Sequence, residues 1–341
     1  MLTIARASAS TPSNQPVVHP ARLGQGVPLE RPALPHISRF DPERRAEHER
    51  SLADGSLIRV RAGVYAPPVT AEGPARRRKE EVLLGARAAL EKLRVEFWFS
   101  HDTAALLWGL WTWRLSGQVH LTHLRTQHVD GARAGSTTRH WTDLPERQRT
   151  AWVDDGTGLL VPVTSLERTI VDCARSCPPD AGLVVADAGL RLGADRDVVE
   201  AVLAEASGGR GVRRARRVVA AADPRSESPI ESVTRWVVVD AGLPTPELAI
   251  EQQTWSGRYW VDLGWPELKV GIEVDGLEKY SGRYGDPRQV LLDEKRRHDA
   301  LVEAGWLLIR VSLQDLLDPA RLVARIVAAL RSRGWRRGAP M

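Results

Sequence analysis

The stretch Arg258–Asp275 reads RYWVDLGWPELKVGIEVD, two runs of alternating character divided by a turn around Pro266 and Glu267, and so predicts a pair of antiparallel strands. In the second run Val270, Ile272 and Val274 point one way, while Gly271, Glu273 and Asp275 point the other. If Trp265 pairs with Val270, the register sets Asp262 opposite Glu273, with Cβ atoms about 5 Å apart. Two carboxylates so placed repel each other and destabilise a sheet unless a cation or a proton lies between them. A hard divalent ion with oxygen ligands resolves that conflict, which makes Asp262 and Glu273 candidate metal ligands.

The flanking sequence builds a small α/β unit around this pair. Upstream, Ser228, Pro229 and Glu231 carry the signature of a capped helix start, and the helix runs to Asp240 before AGLPTP ends it. Capping alone accounts for Glu231. Downstream, DGLEKY turns the chain and presents Lys279; Asp286 and Pro287 then start a long helix that stops at Gly305. WLLIRVS is a buried strand, and DPARLVARIVAALRSRG is a final helix. A strand, helix, strand sequence implies a right-handed crossover, with WLLIRVS parallel to a strand already in the sheet.

Residues 1–35 are rich in Ser, Pro, Ala and Gly and are expected to form a disordered leader. Residues 36–78 contain a polar helix from Asp41, with Pro42 at its first position, and a basic hairpin. There Leu57, Arg59 and Arg61 alternate with Ile58 and Val60 before a turn at Gly63, as in a partial winged helix. Residues 79–222 form a mixed α/β middle domain, with helices expected near Glu80–Lys92 and from Ser100, Thr164, Pro179 and Gly211, and strands near Gln118–Leu124 and Gly158–Val163. Thr164 and Glu167 have capping-box spacing. Residues 223–341 form the last domain.

Of the 341 residues, 43% are hydrophobic and 27% charged, an ordinary globular balance. No apolar run approaches the roughly 20 residues that span a bilayer, so a cytoplasmic protein without membrane partners is expected. The net charge is +5, concentrated in the runs Arg76–Lys79 and Arg210–Arg217, which suit phosphate backbones as well as solvated helix faces. Cys173 and Cys177 have no second pair to complete a zinc site and read as reduced structural thiols. His120, His123 and His128 match no common zinc spacing and read as surface or core residues.

The segments SPIESVTRW, GLPTP, VDLGWPELKVGIEVDG, EKY and DEKRRHDALVEAGWLLIRVS, in this order over about Ser226 to Leu330, resemble an uncharacterised bacterial family of the PD-(D/E)XK nuclease superfamily related to very-short-patch-repair endonucleases. GSLIRVRAGVY, SHDTAALLWGL, VPVTSLERTIVDCARS and DPRSESP resemble the region that accompanies such nucleases, similar to AbiEi-type antitoxins with a DNA-binding winged helix.

The resemblance implies an α/β fold whose C-terminal part is a restriction-endonuclease-like core of helix, antiparallel strands, crossover helix, strand and helix. It implies that Asp262 and Glu273 hold Mg²⁺ or Mn²⁺, with Glu231 reaching the metal through water. The family's lysine would stand two residues after the glutamate, where this chain has Asp275; Lys279 takes its place in the catalytic set of Asp262, Glu273, Asp275, Lys279 and Glu231. Asp293 and Arg296 would buttress the site or touch phosphate, or form a surface pair. Arg59, Arg61, Arg213, Arg216 and Arg296 are candidate DNA contacts, and Lys295, Arg296 and Arg297 offset the acidic face.

The expected function is thus metal-dependent hydrolysis of DNA phosphodiesters, in phage defence or repair. The alternative is a non-catalytic DNA-binding regulator or antitoxin-like protein on a degenerate nuclease fold. DNA is the expected partner, with a homodimer and a toxin or defence-system partner as further expectations.

Overall fold

The computed structural model describes residues 29–124, 136–275 and 287–336, together with Gly338; for residues 287–291 it describes the backbone alone. The chain is a mixed α/β protein. Its described residues form sheets of three, five and four strands. Most of the leader, His128 and Lys279 lie outside the described residues.

The first sheet joins β1 (Ser38–Arg39), β2 (Ile58–Arg61) and β3 (Val64–Ala66) in the order β1-β3-β2, with α1 (Arg45–Ala53) between β1 and β2. Asp41 caps the short helical turn Pro42–Arg44 that leads into α1. Gly63, with φ 70°, makes the expected hairpin turn. The expected alternation along β2 does not hold, because the register shifts between Arg59 and Arg61. Arg59 stays exposed, but Arg61 is half-buried and donates to Thr137 Oγ1 in the middle region. Burial, followed by the Arg139 charge, lowers the Arg61 pKa.

α2 (Pro74–Lys92) begins six residues before the expected Glu80, since Gly73 at φ 84° and Pro74 at the first helical position start it early. Arg76–Lys79 therefore form its exposed first turns. The second sheet contains β4 (Trp98–Phe99), β5 (Val119–Leu124), β6 (Thr137–Thr142), β7 (Arg149–Val153) and β8 (Leu160–Thr164), in the order β6-β5-β4-β8-β7, with α3 (His101–Leu107) after β4. Helices α4 (Leu166–Ser176), α5 (Pro179–Arg191), α6 (Arg196–Glu205) and α7 (Val212–Ala221) follow. The cap of α4 is Ser165, whose Oγ accepts the Arg168 N–H at 3.2 Å, and not Thr164. Thr164 ends β8, and its hydroxyl pairs with Thr169 at 2.8 Å.

The third sheet has the order β12-β11-β10-β9. α8 (Pro229–Asp240) precedes it, β9 (Glu247–Thr254), β10 (Gly257–Trp265) and β11 (Val270–Val274) are antiparallel, and α9 (Pro287–Glu303) leads to β12 (Leu307–Val311), parallel to β11. α10 (Pro319–Ser332) closes the unit. β9 is a strand beyond the two expected there. One face of the sheet packs Leu263, Ile272 and Val311 against Val233 and Val237 of α8 and Leu322 and Ile326 of α10. The other face packs Val261 against Leu301 and Trp306, under α9.

The first of these cores crosses the expected boundary at 222/223, taking in Ala105, Cys173, Val184 and Val185 from the middle region. Across the same boundary Arg235 of α8 forms an ion pair with Asp187 of α5, both side chains almost fully buried. Cys173 and Cys177 are free thiols. Among the described residues no helix is long and apolar enough to cross a membrane.

Candidate metal centre

The site forms where the β10–β11 ladder ends. The backbone register runs Trp265↔Val270, Gly264↔Gly271, Leu263↔Ile272, so continuing it by one residue sets Asp262 against Glu273, as the sequence suggests. There Asp262 Oδ2 accepts the Val274 N–H at 2.9 Å. On its other side, the β9–β10 register passes from Val261↔Ile250 to Leu263↔Leu248 and skips the pair of Asp262 and Ala249. Ala249 adopts φ 54°, a left-handed conformation that costs a non-glycine residue free energy. The kink has a packing consequence. Ile250 and Val261 face the α9 side, whereas Leu248 and Leu263 face α8 and α10. Asp262 sits at the crossing, within reach of both layers.

Glu231 comes from α8. Ser228 Oγ accepts the Glu231 N–H at 3.2 Å and donates to Glu231 Oε1 at 3.0 Å, while the Glu227 N–H donates to Oε2 at 2.9 Å. This is the expected cap with the carboxyl drawn inside. Burial, and then the nearby Asp262 charge, push the Glu231 pKa up to about 8. Both effects favour the protonated carboxyl.

Glu273 is 8% exposed, so the acidic face is not open: α9 lies over it. Arg297 of α9 places Nη2 2.9 Å from Glu273 Oε1 and 3.9 Å from Asp262 Oδ1. Burial alone would lower the Arg297 pKa, but Asp262 and Glu273 outweigh it and raise it. His298 Nδ1 lies 3.7 Å and Arg310 Nε 4.0 Å from Glu273 Oε2, and Arg310 Nη1 is 3.7 Å from Glu294 Oε1. Asp275 donates its N–H to Val311 O at 2.8 Å, while its buried Oδ1 has no hydrogen-bond partner among the described residues. Glu273, Val274, Asp275, Glu294, Arg297 and Arg310 line a small cleft here.

The structure thus brings Asp262, Glu273, Asp275 and Glu231 into one neighbourhood. Asp293 and Arg296 instead lie on the exposed side of α9, one residue away from the Glu294 and Arg297 that face the sheet. Sequence reading named Arg297 only as general positive surroundings and missed His298 and Arg310. The parallel register Glu273↔Arg310 is the signal that finds Arg310, and it exists only once β12 is placed beside β11. Arg213 and Arg216 are exposed on α7 and line a surface cleft with Ser207, Gly208 and Gly211.

No protein-family model matches the chain. Uncharacterized protein MT2308 of Mycobacterium tuberculosis strain CDC 1551 / Oshkosh and Uncharacterized protein Rv2248 of strain ATCC 25618 / H37Rv are each 32% identical over 295 residues, covering 84% of this chain and 97% of the relative. Among solved structures, the crystal structure of RV2827C protein from Mycobacterium tuberculosis aligns with TM-score 0.36 and 12% identity over 63% of this chain and 79% of that one. At that level of identity over nearly the whole of both relatives, the chain belongs to the family of these Mycobacterium tuberculosis proteins, MT2308 and Rv2248.

Proposed function

We propose that the C-terminal unit is a Mg²⁺- or Mn²⁺-dependent phosphodiesterase acting on DNA, with a restriction-endonuclease-like core of the PD-(D/E)XK kind. The observation that carries this reading is the convergence of Asp262 and Glu273 on one cationic position, now held by Arg297 Nη2. The donor chemistry fits a hard divalent ion: the Asp262 and Glu273 carboxylates are all-oxygen ligands, and the unpartnered Asp275 Oδ1 adds a third source. Once bound, such an ion supplies Lewis-acid charge to a phosphoryl oxygen and lowers the pKa of a ligated water.

The chain's own residues complete the arrangement. The Val274 N–H fixes one Asp262 oxygen. Glu231, drawn inside by Ser228 and the Glu227 N–H, stands beside Asp262 and reaches the ion through water in this proposal. Arg297, His298 and Arg310 ring Glu273, and the two arginines offer positive contacts to a phosphate that enters the cleft. Lys279, outside the described residues, would orient the attacking water or neutralise the developing charge. Arg213 and Arg216, with Arg59, are the exposed cations proposed to track the DNA backbone; Arg61, bonded to Thr137, is withdrawn from that role. By the same proposal the N-terminal regions are AbiEi-like.

The test is plasmid cleavage with Mg²⁺ or Mn²⁺ by the full chain and by Asp262→Ala. Cleavage by the wild type and loss of at least 100-fold in the variant are expected; equal cutting by both proteins would remove this site from the reaction. One observation favours a second reading, a non-catalytic DNA-binding regulator: Arg297 already neutralises both carboxylates. That reading expects a salt-dependent mobility shift without metal and no cutting with any metal.

A further inference from the structure

Outside that site, three histidines from three different elements meet: His101 at the start of α3, His120 on β5 and His140 on β6, each offering a nitrogen within 4.8 Å of the others. The parallel register His120↔Thr138 and Thr122↔His140 sets His120 and His140 two positions apart on neighbouring strands. His120 Nδ1 lies 2.9 Å from His140 Nε2, and the His101 ring stacks on that of His140 with centroids 3.9 Å apart. We propose that His101, His120 and His140 form a binding site for a transition-metal dication of the Zn²⁺ class, independent of the carboxylate centre.

Three observations support nitrogen ligation over plain packing. First, a further nitrogen is held on two of the three rings. His120 Nε2, on the side away from His140, lies 3.1 Å from Ser116 Oγ and 3.5 Å from Asp102 Oδ1, and His101 Nδ1 lies 2.9 Å from Ser100 Oγ. A carboxylate behind a ligating imidazole fixes its tautomer and turns the other nitrogen's lone pair to the metal. Asp102 is placed for that role without yet bonding the ring: it is buried, its Oδ2 accepts the Ser116 N–H at 2.9 Å, and its Oδ1, 3.5 Å from His120 Nε2, has no hydrogen-bond partner among the described residues.

Second, one pair of nitrogens already stands near ligand spacing, and the stacked His101 ring turns to join it. Zn–N bonds of about 2.0–2.1 Å put tetrahedral ligand nitrogens roughly 3.3 Å apart, close to the 2.9 Å between His120 and His140. Third, His101 is held at φ 56°, a conformation unfavourable for a non-glycine residue that points its ring into the cluster.

Co²⁺ replaces Zn²⁺ at such sites and reports nitrogen ligation by its visible d–d absorption. The full chain, carrying no polyhistidine tag and stripped with chelator, is titrated with Co²⁺ and then with Zn²⁺. One Co²⁺ per chain with d–d bands, displaced by Zn²⁺, is expected. Asp262→Asn should retain the bands, His140→Gln on the edge strand should lose them, and Asp102→Asn should weaken binding about 10–100-fold. Absence of bands in the wild type, their loss in Asp262→Asn, or their retention in His140→Gln would overturn the proposal. If His140→Gln does not fold by circular dichroism, His101→Gln carries the same comparison, and the wild type with Asp262→Asn remains decisive.

Discussion

Asp262 and Val274 are joined by a 2.9 Å hydrogen bond from the Val274 N–H to Asp262 Oδ2, so the carboxylate of one strand grips the backbone of the next. That bond fixes the plane of the carboxylate and turns Oδ1 toward Arg297, 3.9 Å away. Glu273, the residue before Val274, meets the same guanidinium nitrogen at 2.9 Å. Two acids separated by 11 positions in sequence thereby share one cationic place.

Arg297 and a divalent ion compete for that place. Replacing the guanidinium by an apolar side chain removes the cation that Asp262 and Glu273 share, so Arg297→Met should lose about 2–4 kcal/mol of stability in chelator. The same variant should bind Mn²⁺ roughly tenfold more tightly, because no internal cation must be displaced. Chemical denaturation with and without Mn²⁺ measures both effects, and an unchanged Mn²⁺ affinity would contradict the competition.

Glu231 ties stability to pH. Its folded pKa is raised to about 8, by burial first and Asp262 second, above the roughly 4.3 of an unfolded glutamate. Between those values the folded state holds the proton and the unfolded state does not, so stability falls as pH rises through this window and levels off above the folded pKa. Glu231→Gln should flatten the profile, gaining on the order of a few kcal/mol relative to wild type between pH 5 and pH 9. Urea midpoints across that range provide the check; parallel profiles would contradict it.

Gly271 shows how closely Val261, Trp306 and Leu308 pack over the middle of the sheet. A Cβ there would meet Val261 Cγ1 at 2.6 Å, Leu308 Cδ2 at 2.8 Å and Trp306 Cε3 at 3.2 Å. Gly271→Ala should therefore destabilise by about 1–3 kcal/mol through overpacking. A thermal melt within experimental error of wild type would show that the layer yields.

The Asp187–Arg235 pair joins the middle region to the C-terminal unit. Burial raises the Asp187 pKa although Arg235 opposes it. Asp187→Ala strands a buried guanidinium and should cost about 3–5 kcal/mol, whereas a joint Asp187→Leu, Arg235→Met change should cost much less. A double-mutant cycle by denaturation reads the difference, and additive losses would contradict the pairing.

Much of this was legible in the sequence where one physical rule acted alone. The Pro266 turn fixed the β10–β11 register, so the pairing of Trp265 with Val270 followed from alternation and loop length. Ser228 and Asp318 cap α8 and α10 as local chemistry dictates. Other features depend on tertiary context. β6, TTRHWT, is a polar edge strand with no buried residue, so no apolar alternation announces it. β9 changes face at Ala249, where a left-handed residue breaks the period of two. The histidine cluster was hidden because its members come from three elements, and His120, read beside His123 and His128, belongs with His101 and His140. His123 is a core residue, its Nδ1 3.0 Å from Glu96 O.

The central claim, that Asp262 and Glu273 together hold a divalent ion, is tested most directly by titrating Mn²⁺ and following the free-ion electron paramagnetic resonance signal. Wild type and the double variant Asp262→Asn, Glu273→Gln are compared, each with His140→Gln in the background to silence the histidine cluster. Saturable uptake by the acidic pair is expected, with a loss of affinity of at least 100-fold in its absence. Equal uptake by both proteins, or none by either, would contradict it.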